Sequence, residues 1–305
     1  MRGLLTIILT AVVSTSFGQI NMNDSTAQVI GYWNKGDKQS YAMQLQKIKL
    51  KGTDTTANEI MTYNVDITVI DSTENTYVIE WYYRNFKSNT ENELMKKLAA
   101  SSEDIKVLIE TDELGSIRKL LNWKEVGKHM EKTLHPLEKE FANIPQVKKM
   151  IKQMLSMYTT EQGVFSAAIQ DAQQFYTYHG AQYTLNELLE GQLKVPNMYN
   201  QNEPFDSQLK ISLDELNPND NNYVISSSQE VDSEQLTSVT FEYLKNFSKS
   251  MGTPEPKKKD IGQLTNLTRT ASRIHGSGWV IYSIQTKTVE APGATNIEER
   301  IIEIK

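Results

Sequence analysis

Apolar and polar residues alternate with a period of two in several segments between residues 40 and 121, and this pattern constrains the fold most strongly. Segments 63–69 and 77–83 each carry aromatic or β-branched side chains at every second position. A strand with one buried face has this pattern, because successive side chains point to opposite faces of the sheet. The polar run 71–75 between them is rich in turn-forming residues. The sequence therefore predicts a long antiparallel hairpin.

A second hairpin is predicted at 105–121, where two short apolar segments flank Gly115. Glycine adopts positive φ without steric cost, which suits a tight reversal. Residues 91–100, between the two hairpins, are predicted to form a short surface helix. In the strand before the first hairpin, the apolar positions change phase between Leu45 and Ile48, and this change predicts a β-bulge.

The apolar spacing changes to three and four residues from Asn122 onward, which is typical of helices. Asn122 is a suitable N-terminal cap for the first of them. Pro136 is expected to end or bend that helix, because proline lacks the amide that the helix ladder needs. Further helical runs follow as far as about residue 190. We therefore predict a helical segment over residues 122–190.

Strand patterns return in a β-rich C-terminal region, residues 205–305. A run of turn formers at 217–222 separates two of these strands. A helix at 233–250, with Ser233 as its predicted cap, precedes a three-stranded meander with glycine-containing turns.

The order of strands, helices and strands favours one α+β domain over residues 19–305, because neither β region is set apart by an evident linker. We predict a curved antiparallel sheet formed by the β regions 26–121 and 205–305. Such a sheet can curve into a half-barrel, and the helical segment would pack on one of its faces.

The first 18 residues have the organisation of a secretory signal peptide. Arg2 precedes an apolar run from Leu4 to Val13, and small residues follow up to Gly18. An apolar run of about ten residues is too short to cross a bilayer, which takes about 20. We expect cleavage before Gln19 and a soluble protein in the periplasm or outside the cell, with no transmembrane anchor. Because the chain has no cysteine, the acyl-bearing residue of a lipoprotein is missing.

Composition excludes several classes of function. The absence of cysteine rules out thiolate nucleophiles and cysteine-ligated metals. A formal net charge of −6, from 32 basic and 38 acidic residues, argues against a nucleic-acid partner, whose binding surface needs clustered lysine and arginine. The four histidines include no pair with the spacing of a zinc-binding helix. We therefore predict no cofactor and no metal site.

One segment, His275-Gly276-Ser277-Gly278, is similar to a fragment of a serine hydrolase. A nucleophile elbow has glycines two residues before and after its serine, on a turn from strand to helix. Here His275 occupies the first of those positions and a strand pattern follows. A hairpin turn accounts for the same glycines. An envelope hydrolase that uses His275 or Ser277 remains an alternative hypothesis.

Three features together resemble the exported, functionally uncharacterised proteins that are common in Bacteroidota. The signal ends in Phe17-Gly18-Gln19, and the stretch 112–122 contains the Gly115 turn. The third feature is the final meander, which begins at Trp279-Val280-Ile281-Tyr282. The resemblance is one of overall style across most of the chain and carries no catalytic motif. It implies a Gram-negative envelope and no roles for individual residues.

Two aromatic-rich β regions surround a methionine-rich helical segment, and methionine and aromatic side chains commonly line apolar cavities. We predict a non-enzymatic envelope protein that binds an apolar or amphipathic ligand between sheet and helices. It would resemble half-barrel lipoprotein carriers in architecture alone. The alternative is a structural or assembly protein whose partner is another envelope protein. The predicted ligand-binding residues are Trp81, Tyr83, Met150, Met154, Phe175 and Trp279.

Overall fold

The computed structural model describes residues 19–197, 203–257 and 261–305. The predicted signal peptide, residues 1–18, lies outside this range. The described residues form an 11-stranded antiparallel sheet, a three-stranded sheet and six helices. The α+β class is confirmed, and within the described residues the two outermost strands of the large sheet do not pair with each other, so the sheet is open.

The first half of the large sheet consists of strands that are neighbours in the chain. They are β3 (Lys38–Lys51), β4 (Asp54–Ser72), β5 (Thr76–Ser88), β6 (Lys106–Asp112) and β7 (Ile117–Leu120). Both predicted hairpins are confirmed, with Ile67 opposite Trp81 in the first of them. Tyr63, Val65, Ile67 and Val69 are all buried. The period-two pattern therefore reflects burial of one face.

The bulge predicted between Leu45 and Ile48 is wrong. Strands β3 and β4 keep a continuous register there, and the irregularity lies at Lys49 and Leu50. Leu45 shares the face of the buried residues of β3, whereas Ile48 lies on the opposite, partly exposed face. Ile48 pairs with Ile297 on that outer face. The phase change thus reflects a cross-strand apolar pair rather than an extra residue.

The second half of the large sheet comes from the C-terminal region. Its strands are β9 (Leu188–Val195), β10 (Phe205–Asn217), β11 (Asn222–Val231), β12 (Thr265–His275), β13 (Val280–Ala291) and β14 (Ala294–Ile304). The spatial order is β7-β6-β5-β4-β3-β14-β13-β12-β11-β10-β9. The halves join where β14 pairs with β3, with Ile302 opposite Met43. The prediction that both β regions build one sheet is confirmed.

Helices cover the face of the sheet that buries Tyr41 and Trp81. They are α1 (Glu93–Ala100), α2 (Trp123–Glu140), α3 (Pro145–Met157), α4 (Glu161–Ala168), α5 (Gln170–Phe175) and α6 (Ser233–Met251). Helices α2–α5 are here called the helical layer. Helices α2 and α4 contact β6 and β7 near one edge of the sheet, whereas α5 lies over its middle, where Phe175 contacts the rings of Tyr41 and Trp81. Helix α6 packs on the far ends of β10 and β12. No helix of the described residues is long and apolar enough to cross a membrane.

The helical segment ends earlier than predicted. Its last helix ends at Phe175, and the remainder to residue 190 contains β8 (Gln182–Thr184) and the start of β9. Gly180, with a φ of +88°, turns the chain away from the helix. Strand β8 completes the small sheet with β1 (Ile20–Asn21) and β2 (Thr26–Gln28). Strand β9 is exposed on both faces up to Val195, so burial imposes no period-two pattern on it.

Asn122 occupies the predicted N-cap position of α2, but its side chain makes no capping hydrogen bond, and Pro136 does not end the helix, which continues to Glu140. The Asn122 side chain accepts a hydrogen bond from the Leu108 amide at 2.8 Å and donates one to the Lys106 carbonyl at 2.9 Å. It therefore ties the start of α2 to the strand β6. At α6 the capping side chain is Asp232, one residue before the predicted Ser233.

Candidate functional site

Six rings pack against one another beneath the helical layer and form the centre of the core. They are Trp33, Trp81, Phe175, Tyr176, His179 and Trp279, here called the aromatic cluster. The ring centroids of Trp33 and Trp279 are 5.2 Å apart, and those of Trp81 and Phe175 are 5.4 Å apart and nearly perpendicular. All six side chains are buried. Edge-to-face contacts of this kind add to the stabilisation from burial alone.

The aromatic cluster is assembled from separate parts of the chain. Trp81 comes from the centre of β5, Phe175 ends α5, and Trp279 immediately precedes β13. Trp33 lies in the segment before β3, which is held against the sheet by a hydrogen bond of 2.9 Å from the Tyr77 hydroxyl to the Gly31 carbonyl. The site therefore exists only once both halves of the sheet and the helical layer have come together.

The structure places the six predicted ligand-binding residues in one core. Trp81, Phe175 and Trp279 belong to the aromatic cluster. Tyr83 is next to it, with its ring centroid 6.4 Å from that of Trp81. The remaining two, Met150 and Met154, lie on α3 and pack, partly buried, against the same core. Their role in ligand binding stays a prediction.

Five polar atoms in or beside the aromatic cluster have no hydrogen-bond partner within the described part of the chain. They are Trp33 Nε1, Trp81 Nε1, Tyr41 OH, Tyr176 OH and His179 Nδ1. Buried polar groups in native proteins are nearly always hydrogen-bonded, and each unpaired one costs about 1–3 kcal/mol. The Trp81 indole is near enough to the Tyr176 hydroxyl to oppose the rise in its pKa that burial causes, but it does not reach hydrogen-bond geometry. The cluster thus combines apolar rings with unused polar atoms.

His179 is buried and uncharged at neutral pH. Burial lowers its pKa to about 4, although a hydrogen bond of 2.8 Å between Nε2 and the Gly278 carbonyl acts in the opposite direction. Because a carbonyl only accepts, the proton of the neutral ring is on Nε2, and Nδ1 is left as an acceptor. The aromatic cluster therefore contains no positive charge.

A buried ion pair fixes one end of the helical layer to the sheet. Arg300 Nε of β14 lies 3.0 Å from Asp171 Oδ1 of α5, and the two side chains are only 8% and 9% exposed. The N–H direction departs from hydrogen-bond geometry, so this contact is ionic. The Tyr63 hydroxyl donates to Asp171 Oδ2 at 2.8 Å. Since loss of one partner leaves a buried charge and costs about 3–5 kcal/mol, α5 is the firmly held part of the layer.

Sequence reasoning missed this ion pair as well as Trp33 and His179. Arg300 gave a usable signal, because it shares a strand face with Ile302 and Ile304 and is therefore a charge on an apolar face. Its partner gave none, since Asp171 lies on a distant, short helix. A lone histidine or tryptophan likewise carries no periodicity that reveals which rings it will contact.

His275 and Ser277 contact each other in the turn between β12 and β13. His275 Nδ1 is 2.8 Å from Ser277 Oγ and also accepts the Ser277 amide at 3.1 Å. Both contacts stay within the turn. Within the described residues, no carboxylate pairs with His275 and no group of His, Asp and Glu could hold a metal ion. The contact stabilises the hairpin, and the hydrolase hypothesis stays an untested alternative.

Comparisons with known proteins give no family. No family model and no curated protein matches the sequence. Among solved structures, lipovitellin, in a study of its lipid–protein interactions, is 8% identical with a TM-score of 0.40, and the match covers 89% of this chain and 25% of lipovitellin. A Bacteroides fragilis protein assigned as exported, with a YmcC-like fold, is 8% identical with a TM-score of 0.25, and the match covers 92% of this chain and 100% of the other. This chain thus spans a quarter of lipovitellin, and TM-scores this low support no argument about function.

Proposed function

We propose that this protein is exported to the cell envelope and binds an apolar or amphipathic small molecule without catalysing a reaction. The ligand would lie between the large sheet and the helical layer, against the aromatic cluster. The observation that carries this proposal is the group of five polar atoms that have no hydrogen-bond partner among the described residues and lie around otherwise apolar rings. Ligand sites commonly combine an apolar lining with a few such polar groups.

The chemistry of the aromatic cluster selects an uncharged ligand that carries oxygen. The indole groups of Trp33 and Trp81 can only donate hydrogen bonds, and burial raises the pKa of the Tyr41 and Tyr176 hydroxyls, which keeps them protonated. These donors suit a carbonyl, ester or hydroxyl oxygen. A carboxylate would meet no cation in the cluster, and burying an unpaired charge is costly.

Entry of a ligand requires part of the helical layer to move. Helices α3 and α4 each bury one side chain, Ile151 and Val164 respectively, whereas α5 is held by the Asp171–Arg300 ion pair. Lifting α3 and α4 breaks no ion pair to the sheet among the described residues, although it exposes the partly buried apolar side chains that pack on the core, among them Val147, Leu155 and Phe165. Met150 and Met154 on α3 would then contact the ligand through flexible side chains.

The proposal is tested by binding measurements on the purified protein. Native mass spectrometry of protein isolated from its own envelope should detect a bound apolar molecule. Titration with a monoacylglycerol should change tryptophan fluorescence saturably and raise the unfolding temperature, and the fatty acid of equal chain length should bind less tightly. Protein that is repeatedly isolated empty, with no saturable response to either compound, would sink the proposal.

A matched pair of variants locates the site. Trp33→Phe keeps a ring in the aromatic cluster but removes one donor, and we expect about a tenfold loss of monoacylglycerol affinity. Trp123→Phe makes the same change in a partly buried residue outside the cluster, and affinity should stay unchanged. Equal effects of the two substitutions would place the ligand elsewhere.

The alternative function, an assembly protein with a protein partner, is favoured by one observation of its own. Strand β9 is a free sheet edge whose side chains are exposed up to Val195. Free edges of this kind can pair with a strand from another chain.

A further inference from the structure

The two edge strands of the large sheet differ in length and in whether a helix lies beside them. At one edge, β7 spans four residues and lies beside the helix α4. At the other edge, β9 spans eight residues, and among the described strands β10 alone pairs with it. Three leucines of β9 are exposed: Leu188 by 54%, Leu189 by 38% and Leu193 by 44%. Long, apolar and unprotected edges are the ones that pair with another strand.

The charges on β9 and β10 alternate in a self-complementary way. Glu190 lies opposite Lys210 of β10 and is paired with it at 3.2 Å. Lys194 lies opposite Asp206 of β10 and forms an ion pair with it. On the same face of the sheet, β9 thus carries a negative and a positive residue on either side of Gln192.

We infer that β9 pairs antiparallel with β9 of a second copy of this chain, about a two-fold axis at Gln192. In this register Glu190 of each copy lies opposite Lys194 of the other. Four side chains then lie side by side across the two sheets. Lys210 and Glu190 come from one copy, Lys194 and Asp206 come from the other, and their charges alternate in sign. Opposite charges placed directly across an antiparallel pair stabilise it. The large sheets of the two copies become one continuous sheet.

The other face of β9 fits the same register. Leu189 of one copy lies opposite Val195 of the other, so two apolar pairs form across the axis. The outer backbone groups of β9 gain hydrogen-bond partners at the same time. This inference does not rest on ligand binding, because β9 contributes no residue to the aromatic cluster.

Sedimentation equilibrium of the purified protein tests the inference through charge reversal. The wild type should form a concentration-dependent dimer. Glu190→Lys or Lys194→Glu alone should raise the dimer dissociation constant about tenfold, because two pairs of like charges then face each other between the two β9 strands. An equimolar mixture of these two variants, or the double variant, should restore wild-type association, since opposite charges face each other again.

The control is Lys119→Glu on the opposite edge strand β7, which should leave association unchanged. Far-UV circular dichroism checks that each variant is folded, and exposed substitutions of this kind rarely destabilise a protein. A protein that stays monomeric at millimolar concentration overturns the inference. So does a dimer whose dissociation constant responds equally to Lys119→Glu and Glu190→Lys, or one that the mixture of variants fails to restore.

Discussion

His179 illustrates at the scale of one residue how the aromatic cluster is tied to the rest of the fold. Its Nε2 bonds to the Gly278 carbonyl, and its ring stacks on Phe175 at a centroid distance of 6.0 Å. One side chain therefore links α5 to the turn before β13. Because the ring is buried, charging it in place is unfavourable, and its pKa is lowered to about 4.

This lowered pKa predicts a stability that falls as the pH falls. Between the ordinary pKa of 6.5 and the folded value of about 4, the unfolded chain binds a proton that the folded protein excludes. The contribution is complete above pH 6.5 and declines through this window. Its full size is about 3 kcal/mol. Urea unfolding of wild type and His179→Gln across this range should show a flatter pH dependence for the variant.

The comparison depends on the slopes and not on the absolute stabilities. Glutamine keeps a polar side chain but does not titrate, so other ionisable groups contribute equally to both proteins. Parallel stability profiles for the wild type and the variant would show that His179 titrates alike in the folded and unfolded states.

At the scale of elements, the turn between β12 and β13 is placed by close backbone contact. Gly278 has a φ of +83°, and a Cβ there would lie 2.4 Å from the Ile30 carbonyl oxygen. Gly293, in the turn between β13 and β14, has a φ of +75° and nothing within 4 Å of the same position. Substitutions at these two glycines therefore distinguish the cost of a left-handed backbone from the cost of a steric clash.

We predict that alanine is tolerated much better at 293 than at 278. Gly293→Ala should lower the free energy of unfolding by about 1 kcal/mol, from the left-handed backbone alone. Gly278→Ala should lower it by about 3 kcal/mol, because the Ile30 backbone must also move. Thermal and urea unfolding measure both effects. Similar losses at both positions would mean that the contact with Ile30 does not position this turn.

Elements with one buried face were predictable from the sequence, and the others were not. Strands β4 and β5 lie under the helical layer, so burial selected apolar residues at every second position. Strand β9 has no buried face before Val195 and gave no such pattern. Asn122 matched a cap by residue type, but its side chain is used by the neighbouring strand β6. The local preference of a residue for a capping role is overridden where a residue of another element offers its side chain hydrogen bonds.

At the scale of the whole molecule, the pairing of β14 with β3 connects the two halves of the large sheet and so determines whether they unfold together. Ile302 is buried opposite Met43 at this seam, while the adjacent Ile301 points to the outer face and is partly exposed. Both halves share the sheet, and the ion pair from Arg300 to α5 adds a connection to the helical layer. We expect the chain to unfold as one unit for this reason.

Because β3 and β14 join the two halves of the sheet, we predict that a substitution at their contact destabilises both halves together. Ile302→Ala should lower the free energy of unfolding by about 3 kcal/mol through the cavity it leaves. Ile301→Ala, one residue away on the exposed face, should cost less than about 1 kcal/mol. Hydrogen exchange should lose protection in β4 and β11 at the same urea concentration in each protein. Separate transitions for β4 and β11 would show two domains.

The sequence by itself determined the class of the fold, the two hairpins, the C-terminal meander and the presence of a helical segment between two β regions. These follow from periodicity, which reports whether a side chain faces the core or the solvent. Only the tertiary structure decided which rings form the aromatic cluster, that Arg300 meets Asp171, and that β9 is left as a free edge. Those features depend on contacts between distant segments, and periodicity carries no information about which distant segment a buried face will meet.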